Sequence, residues 1–300
     1  MSHQTSLPHL TQARAALTHT IQAVNAQGEV QTMSIPCERA LTIYLDKVEI
    51  VTLMTLGAYP EWLVLGYLRN QRLLAKAEDL ESITVDWSGG EHGAGVAAVK
   101  TKMTRLQRQV HADADADSLG HPQPSITITS GCGQGSLYSH LFEELQQMTL
   151  PPGSIDRNEV FEIVNTARTQ DSTYKSAGSV HACALFNGTQ ALMSVEDVGR
   201  HNAIDTLAGW LWMNPQWTAQ PHFRPIFYTT GRLTSEMILK SAQLSVPIII
   251  SRSGITQMGL ELAQNLDLCC LGRALHQSFL CYSATHRLVM PLGLPSSDKP

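Results

Sequence analysis

The sequence predicts an α/β protein, a mixed sheet with helices on both faces, with a smaller α+β region ahead of it. Two observations carry this prediction. From Pro225 onward, short runs of β-branched and aromatic residues alternate with segments of helical periodicity, which implies parallel strands joined by right-handed crossovers. Before that, residues 180–186 and 191–196 are strand-like and are joined by Asn187-Gly188, a two-residue hairpin signal that adds antiparallel pairing. At 300 residues, 43% apolar and 16% charged, the chain can bury a sizeable core in one large or two ordinary domains.

Taken in order, residues 1–28 are Thr-, Gln- and His-rich and are expected to form a loose leader. Residues 29–124 form the N-terminal α+β region. Strands are predicted over 41–45 and 48–53 around Asp46-Lys47, and again over 83–87 and 96–100. Between them Pro60 opens a helix that sets Trp62, Leu65, Leu68 and Leu73 near one face. An acidic loop over 111–123 contains Ala-Asp-Ala-Asp-Ala-Asp. It lacks the glycine and the closing glutamate of an EF-hand, which argues against calcium.

The α/β core is assigned to 125–300, including the cysteine loop and a ligand pocket. A strand over 125–129 leads into that loop, and a helix follows over 137–148. Asp156 with Glu159 reads as a capping box for a helix ending near Arg168. A helix from about Asn202 carries Ile204, Leu207, Ala208 and Leu211 at helical spacing. Then come strand 225–229, helix 234–244, strand 247–251, helix 256–265 and strand 268–271.

Composition narrows the function classes. The net charge is −5, from 21 Lys and Arg against 26 Asp and Glu, which argues against a broad nucleic-acid surface. The N-terminal stretch has no apolar signal core and the run 246–250 is too short to span a bilayer, so no membrane association is expected. The six cysteines form no C-x-x-C pair, and the zinc-finger and zinc-deaminase patterns are absent, so no zinc is expected. Reduced thiols in the cytoplasm are the default for such a chain. No G-x-G-x-x-G follows a strand and no P-loop is present.

Two groups of residues carry chemistry. The first is Thr129-Ser130-Gly131-Cys132-Gly133-Gln134-Gly135-Ser136. Glycines permit positive φ and close approach, and main-chain N–H groups stabilise a thiolate, so Cys132 reads either as a reactive thiol or as an incidental residue of a glycine turn. The second group lies at three strand-to-helix junctions, each pairing a glycine with an arginine: Gly199-Arg200, Gly231-Arg232, and Arg252 with Gly254. Ligands collect where the strands of α/β sheets end, and arginines with helix N-termini suit a phosphate or pyrophosphate. His201 reads either as a proton shuttle or phosphate donor oriented by Asp197, or as a polar residue in a turn that Asp197 or Asn202 caps. Cys183, Cys269, Cys270 and Cys281 read as core thiols, with Cys269 and Cys270 on opposite faces of one strand.

These residues resemble a known family. Val195-Glu196-Asp197-Val198-Gly199-Arg200-His201-Asn202-Ala203-Ile204-Asp205 resembles the signature of the formate dehydrogenase accessory sulfurtransferase family, FdhD/NarQ. Gly178-Ser179-Val180-His181-Ala182-Cys183-Ala184-Leu185, Thr229-Thr230-Gly231-Arg232-Leu233-Thr234-Ser235-Glu236-Met237, Ser251-Arg252-Ser253 and Thr129-Ser130-Gly131-Cys132-Gly133 are similar to its other motifs. The resemblance runs from about Glu38 to Leu288. It implies a cytidine-deaminase-like core without zinc and a cytoplasmic homodimer. It also implies a sulfur carrier that takes sulfane sulfur from a cysteine desulfurase as a Cys132 persulfide. That sulfur would pass to the bis-molybdopterin guanine dinucleotide form of the molybdenum cofactor, as bound substrate, for maturation of formate dehydrogenase. Arg200, His201, Arg232 and Arg252 would hold the cofactor, together with Arg273, His276, Gln277 and Ser278 in the segment aligned with the family's C-terminal cofactor loop.

Two departures stand out. Gly135 occupies the place of the second cysteine of the family's C-x-x-C, and the 273–278 segment lacks glycines and an arginine of its counterpart. They define an alternative, a molybdenum-cofactor-binding chaperone or paralogue without sulfurtransferase activity.

Overall fold

The computed structural model describes residues 8–90, 94–102, 126–128 (backbone only), 148–169 and 172–290. The acidic loop, the cysteine loop with Cys132, and residues 137–147 of the helix predicted to follow it lie outside the described residues. In chain order the elements begin with β1 (His9–Leu10), β2 (Thr18–Val24), β3 (Val30–Pro36), β4 (Arg39–Leu45), β5 (Val48–Thr55), α1 (Pro60–Asn70), β6 (Leu80–Asp86), β7 (Gly95–Thr101) and β8 (Ile126–Ile128). They continue with β9 (Ile155–Asp156), α2 (Arg157–Thr169), α3 (Thr173–Ala177), β10 (His181–Asn187), β11 (Gln190–Asp197) and α4 (Arg200–Met213). The last are β12 (Pro225–Thr229), α5 (Ser235–Gln243), β13 (Ile248–Ser251), α6 (Gln257–Asn265), β14 (Cys269–Leu275), β15 (Ser278–Ser283) and β16 (Leu288–Val289).

Two compact units divide the chain. The first is Met1–Gly133 with Asp197–Pro215, and the second is Gln134–Glu196 with Gln216–Pro300. This differs from a cut at 124/125, because the chain returns to the first unit for α4.

In the first unit the sheet order is β1-β6-β7-β4-β5-β8. β4 and β5 form the hairpin that Asp46-Lys47 predicts; both residues have positive φ, 48° and 73°, as a tight two-residue turn requires. Pro60 opens α1, whose Leu63, Val64, Leu65 and Leu68 are fully buried on Leu41, Ile43, Ile83 and Ala97 of the sheet. Leu73, expected on that face, lies beyond the helix and is exposed. Helices α1 and α4 meet through glycines: a Cβ on Gly66 would overlap the Asp205 carbonyl, and one on Gly209 would overlap the Trp62 carbonyl. The Asn70 amide donates to Asp205 Oδ1 at 2.7 Å beside this contact.

The stretch expected as a loose leader holds structure. β1 pairs in parallel with β6, and β2 forms an antiparallel hairpin with β3. Buried Glu61 anchors the chain between them, accepting from Thr11 Oγ1 at 2.7 Å and the Ala13 N–H at 2.8 Å. The hairpin was hidden because most of its residues are exposed, so no apolar alternation marks it.

The β5 end and the start of α4 meet on one carboxylate. Asp197, 3% exposed, accepts from Thr55 Oγ1 at 2.5 Å, the Leu56 N–H at 3.1 Å, the Gly199 N–H at 3.0 Å and Asn202 Nδ2 at 3.0 Å. Asn202 Nδ2 also donates to the Met54 carbonyl at 2.6 Å. Burial raises the pKa of this carboxyl and the hydrogen bonds oppose that rise. Because each oxygen faces only donors, the carboxylate is the form that fits.

In the second unit the sheet order is β11-β10-β12-β13-β14-β15. The predicted mixture is present: β12, β13 and β14 are parallel, with antiparallel β10 on one side and β15 on the other. β12 and β13 are buried at every position, as central parallel strands are. Ile226, Tyr228, Ile248, Ile250, Cys269 and Leu271 share a core with Val160, Ile163 and Val164 of α2. Phe227, Ile249 and Cys270 point to the opposite face and are fully buried, on the side where right-handed crossovers carry α5 and α6. The capping box closes as predicted, with the Asp156 N–H on Glu159 Oε2 at 3.0 Å and the Glu159 N–H on Asp156 Oδ1 at 2.9 Å. The β10–β11 connection falls one residue past its predicted place, on Gly188-Thr189, with Gly188 at φ 58°.

Replacing Asp197 by Asn keeps its volume and turns one acceptor into a donor facing donors. At about 1–3 kcal/mol for each orphaned buried donor, Asp197→Asn loses roughly 2 kcal/mol or more. Urea denaturation checks this; an unchanged midpoint would show that the carboxylate is not the tether.

Candidate functional site

β12 and β13 end level with one another, with Thr229 opposite Ser251, and Ile250 lies opposite Leu271 of β14, which runs on to Leu275. Beyond the ends of β12 and β13 lie Thr230-Gly231-Arg232 and Arg252-Ser253-Gly254, beside Gly272-Arg273 within β14, and main-chain hydrogen bonds stitch these segments together. The Arg252 N–H donates to the Thr229 carbonyl at 3.0 Å, the Leu233 N–H to Gly254 at 3.0 Å and the Arg273 N–H to Ser253 at 2.9 Å. Hydroxyls complete the seam: Ser251 Oγ donates to the Gly231 carbonyl at 2.7 Å and Ser253 Oγ to the Thr230 carbonyl at 2.9 Å. Thr229 Oγ1 and Ser251 Oγ accept from the N–H groups of Gly231 and Ser253 at 3.0 and 2.9 Å.

Two backbone features bring Gly272-Arg273 of β14 into this seam. At Gly272 a Cβ would crowd the Tyr282 ring and stand 2.9 Å from the Ser253 carbonyl, so only glycine lets the strand approach the Arg252-Ser253-Gly254 turn. Arg273 then sits at φ 50°, in the left-handed region, at an irregularity in the β14–β15 pairing. That conformation costs a non-glycine residue of order 1–3 kcal/mol, and the hydrogen bond to Ser253 holds it there.

The result is three exposed guanidinium groups, Arg232, Arg252 and Arg273, on a rigid edge. None has a carboxylate partner among the described residues, and the turns beneath them are satisfied by hydroxyls and main chain. Such an edge has the chemistry to hold polyanions: guanidinium forks match phosphate oxygens, and three like charges side by side favour an anion electrostatically.

The other residues singled out in the sequence fall elsewhere. Arg200 and His201 are half-buried in the first turn of α4, in the first unit with the Asp197 tether. His276 and Gln277 form the two-residue connection between β14 and β15, where Leu275 pairs with Ser278. All three of His276, Gln277 and Ser278 are exposed at this hairpin tip, starting three residues or about 10 Å of strand beyond Arg273. The segment is a tight hairpin rather than an open loop. Cys132 lies outside the described residues. Sequence reading passed over Thr229, Thr230, Ser251, Ser253 and Gly272, although hydroxyls flanking Gly-Arg pairs at strand ends were the available signal. No group of three or more His, Cys, Asp or Glu side chains able to hold a metal occurs among the described residues. No described helix is long and apolar enough to cross a membrane.

The model of the FdhD/NarQ family matches residues 36–289, which span this edge and the Asp197 turn. The chain belongs to the FdhD/NarQ family. It is 27% identical over 255 residues to the sulfur carrier protein FdhD of Halalkalibacterium halodurans, covering 85% of this chain and 88% of that one. To the sulfur carrier protein FdhD of Bacillus subtilis it is 25% identical over 265 residues, covering 87% and 94%. A crystal structure from Desulfotalea psychrophila, of a protein assigned as a formate dehydrogenase accessory protein, superposes with a TM-score of 0.68. It covers 91% of this chain and all of that one at 22% identity, which shows a shared fold.

Replacing any one of Arg232, Arg252 and Arg273 by Ala weakens binding of inorganic pyrophosphate roughly tenfold or more, the scale of one charge-assisted hydrogen bond. Gly272→Ala weakens it without removing a charge. Isothermal titration calorimetry reads both; equal affinity in all four variants would remove the edge from consideration as an anion site.

Proposed function

We propose that this FdhD/NarQ chain is a sulfur carrier for formate dehydrogenase maturation, with Cys132 as the carrier thiol. A cysteine desulfurase presents a persulfide. The Cys132 thiolate attacks its terminal sulfur, a new S–S bond forms on Cys132, and the donor cysteine leaves as a thiolate. The terminal sulfur would then pass to the bis-molybdopterin guanine dinucleotide form of the molybdenum cofactor, bound as substrate: the S–S bond breaks, two electrons from a cellular reductant take the sulfur to the sulfide level, and Cys132 returns as a thiolate. The observation that supports this most directly is the row of Arg232, Arg252 and Arg273 over a hydroxyl-stitched strand edge. A bis-guanine-dinucleotide cofactor carries two pyrophosphates, and fixed guanidinium groups are the chemistry that holds them. In this reading His276, Gln277 and Ser278 at the hairpin tip supply further donors. It also includes a cytidine-deaminase-like core without zinc, a homodimer and a cytoplasmic setting.

One observation favours a second reading. Gly135 removes the other thiol of the family's C-x-x-C, which fits a chaperone that binds the cofactor without moving sulfur.

Incubation with a cysteine desulfurase and cysteine, followed by intact-mass analysis, separates the two. The carrier gains one reducible sulfur that maps to Cys132 and is absent from Cys132→Ala, while Arg232→Ala still loads and loses affinity for guanosine diphosphate. No gain in the wild type, with the desulfurase shown active, would leave the chaperone as the better account. Full loading of Cys132→Ala would overturn the assignment of the carrier thiol.

A further inference from the structure

The β14–β15 pair brings two thiols together. Cys270 faces Ser283 and Leu271 faces Cys281, so the register shifts between the two pairs. That shift sets Cys269 Sγ and Cys281 Sγ 4.0 Å apart. Cys269 is fully buried in the core shared with α2. Cys281 sits on β15, the last strand of the sheet order, and is only half-buried. Cys270 points to the other face, where burial pushes its thiol up to about 12. The pair therefore joins a half-buried residue of the last strand to a fully buried one, both against the core shared with α2.

We propose that Cys269 and Cys281 form a redox-active dithiol that a hydroperoxide converts into an intramolecular disulfide. In the first step the Cys281 thiolate attacks one peroxide oxygen. The O–O bond breaks, hydroxide leaves, and Cys281 carries a sulfenic acid. In the second, the Cys269 thiol gives up its proton and its sulfur attacks Cys281 Sγ; the S–O bond breaks, the S–S bond forms and water departs. Two thiols lose two electrons and two protons, and hydrogen peroxide becomes two waters.

The local chemistry orders the steps. Either sulfur can donate across the 4.0 Å contact, and the Cys281 thiol also donates to the Ser283 carbonyl at 3.4 Å; with Cys269 as donor, the contact lowers the Cys281 pKa to about 7 against the burial that raises it. The same bond, with burial, raises Cys269. Near neutral pH the Cys281 sulfur is thus the nucleophile, while the fully buried Cys269 keeps its proton until the second step. Closing 4.0 Å to an S–S bond of about 2.05 Å takes a combined sulfur displacement of about 2 Å.

Full-length protein is exposed to hydrogen peroxide, blocked with N-ethylmaleimide, digested and mapped by mass spectrometry, alongside a Cys132→Ala sample. The expected product in both is a Cys269–Cys281 linked peptide, two hydrogens lighter and abolished by dithiothreitol. In Cys269→Ala the reaction stops at a Cys281 sulfenic acid that dimedone captures. If that variant does not fold, the wild-type linkage decides alone. Sulfinic or sulfonic Cys281 beside an alkylatable Cys269, linkage of Cys281 to another cysteine, or two intact thiols at peroxide levels that oxidise free cysteine would each overturn the proposal.

Discussion

The second unit depends on how two central parallel strands end beside a third that runs on. At their C-terminal edge, β12 and β13 leave carbonyl and N–H groups with no next strand residue to pair, while β14 continues to Leu275. Left unsatisfied and partly buried, each would cost about 1–3 kcal/mol. Thr229, Ser251 and Ser253 close that deficit with hydroxyls, and the main chain of one turn closes it for the next. Because short side chains do this work, the arginines between them are not needed for it. Arg232, Arg252 and Arg273 therefore stand exposed on a framework that has already lost its conformational freedom. Pre-ordering of this kind raises the affinity of a charged edge for an anion, since little further entropy is lost on binding.

The most specific sequence motif divides between two tasks. In Asp197-Val198-Gly199-Arg200-His201-Asn202, the two ends, Asp197 and Asn202, are structural: they tie Met54, Thr55 and Leu56 to the first turn of α4. Neither residue is the helix cap that the sequence suggested: Gly199 is the N-cap of α4 and has no side-chain cap bond, while the Asp197 oxygens serve Thr55, Leu56, Gly199 and Asn202 as a tether. Arg200 and His201 lie between these anchors, so the tether fixes where they begin α4. A change at Asp197 would then act on them through position rather than through charge.

How much could be read in advance follows from where side chains point. β12 and β13 were legible because both faces are covered, which gives unbroken apolar runs. The capping box at Asp156 and the Asp46-Lys47 turn were legible because each is set by neighbours in sequence. The β2–β3 hairpin was not, since its exposed residues place no demand on composition. The unit boundary was hidden for a different reason. Gly66 and Gly209 look like weak points in two helices, and only in three dimensions do they become the surfaces through which α4 rejoins α1. At the site, the arginines were visible as strand-end residues, while the seam beneath them needed the register of three strands. The Cys269–Cys281 contact needed an irregularity within one pairing, which no periodicity reports.

The same register argument bears on what Gly135 means. A persulfide beside a second thiol is short-lived, because that thiol attacks the inner sulfur, closes a disulfide and releases hydrosulfide. Cys269 and Cys281 have the proximity for such closure, with their sulfurs 4.0 Å apart. A loop with one cysteine and a glycine three residues on has no intraloop thiol to begin it. Loss of the second cysteine therefore removes one route by which a sulfur held on Cys132 would escape. For the carrier proposed above, the substitution that removes a relay within the loop would thereby lengthen the life of a persulfide on its single thiol.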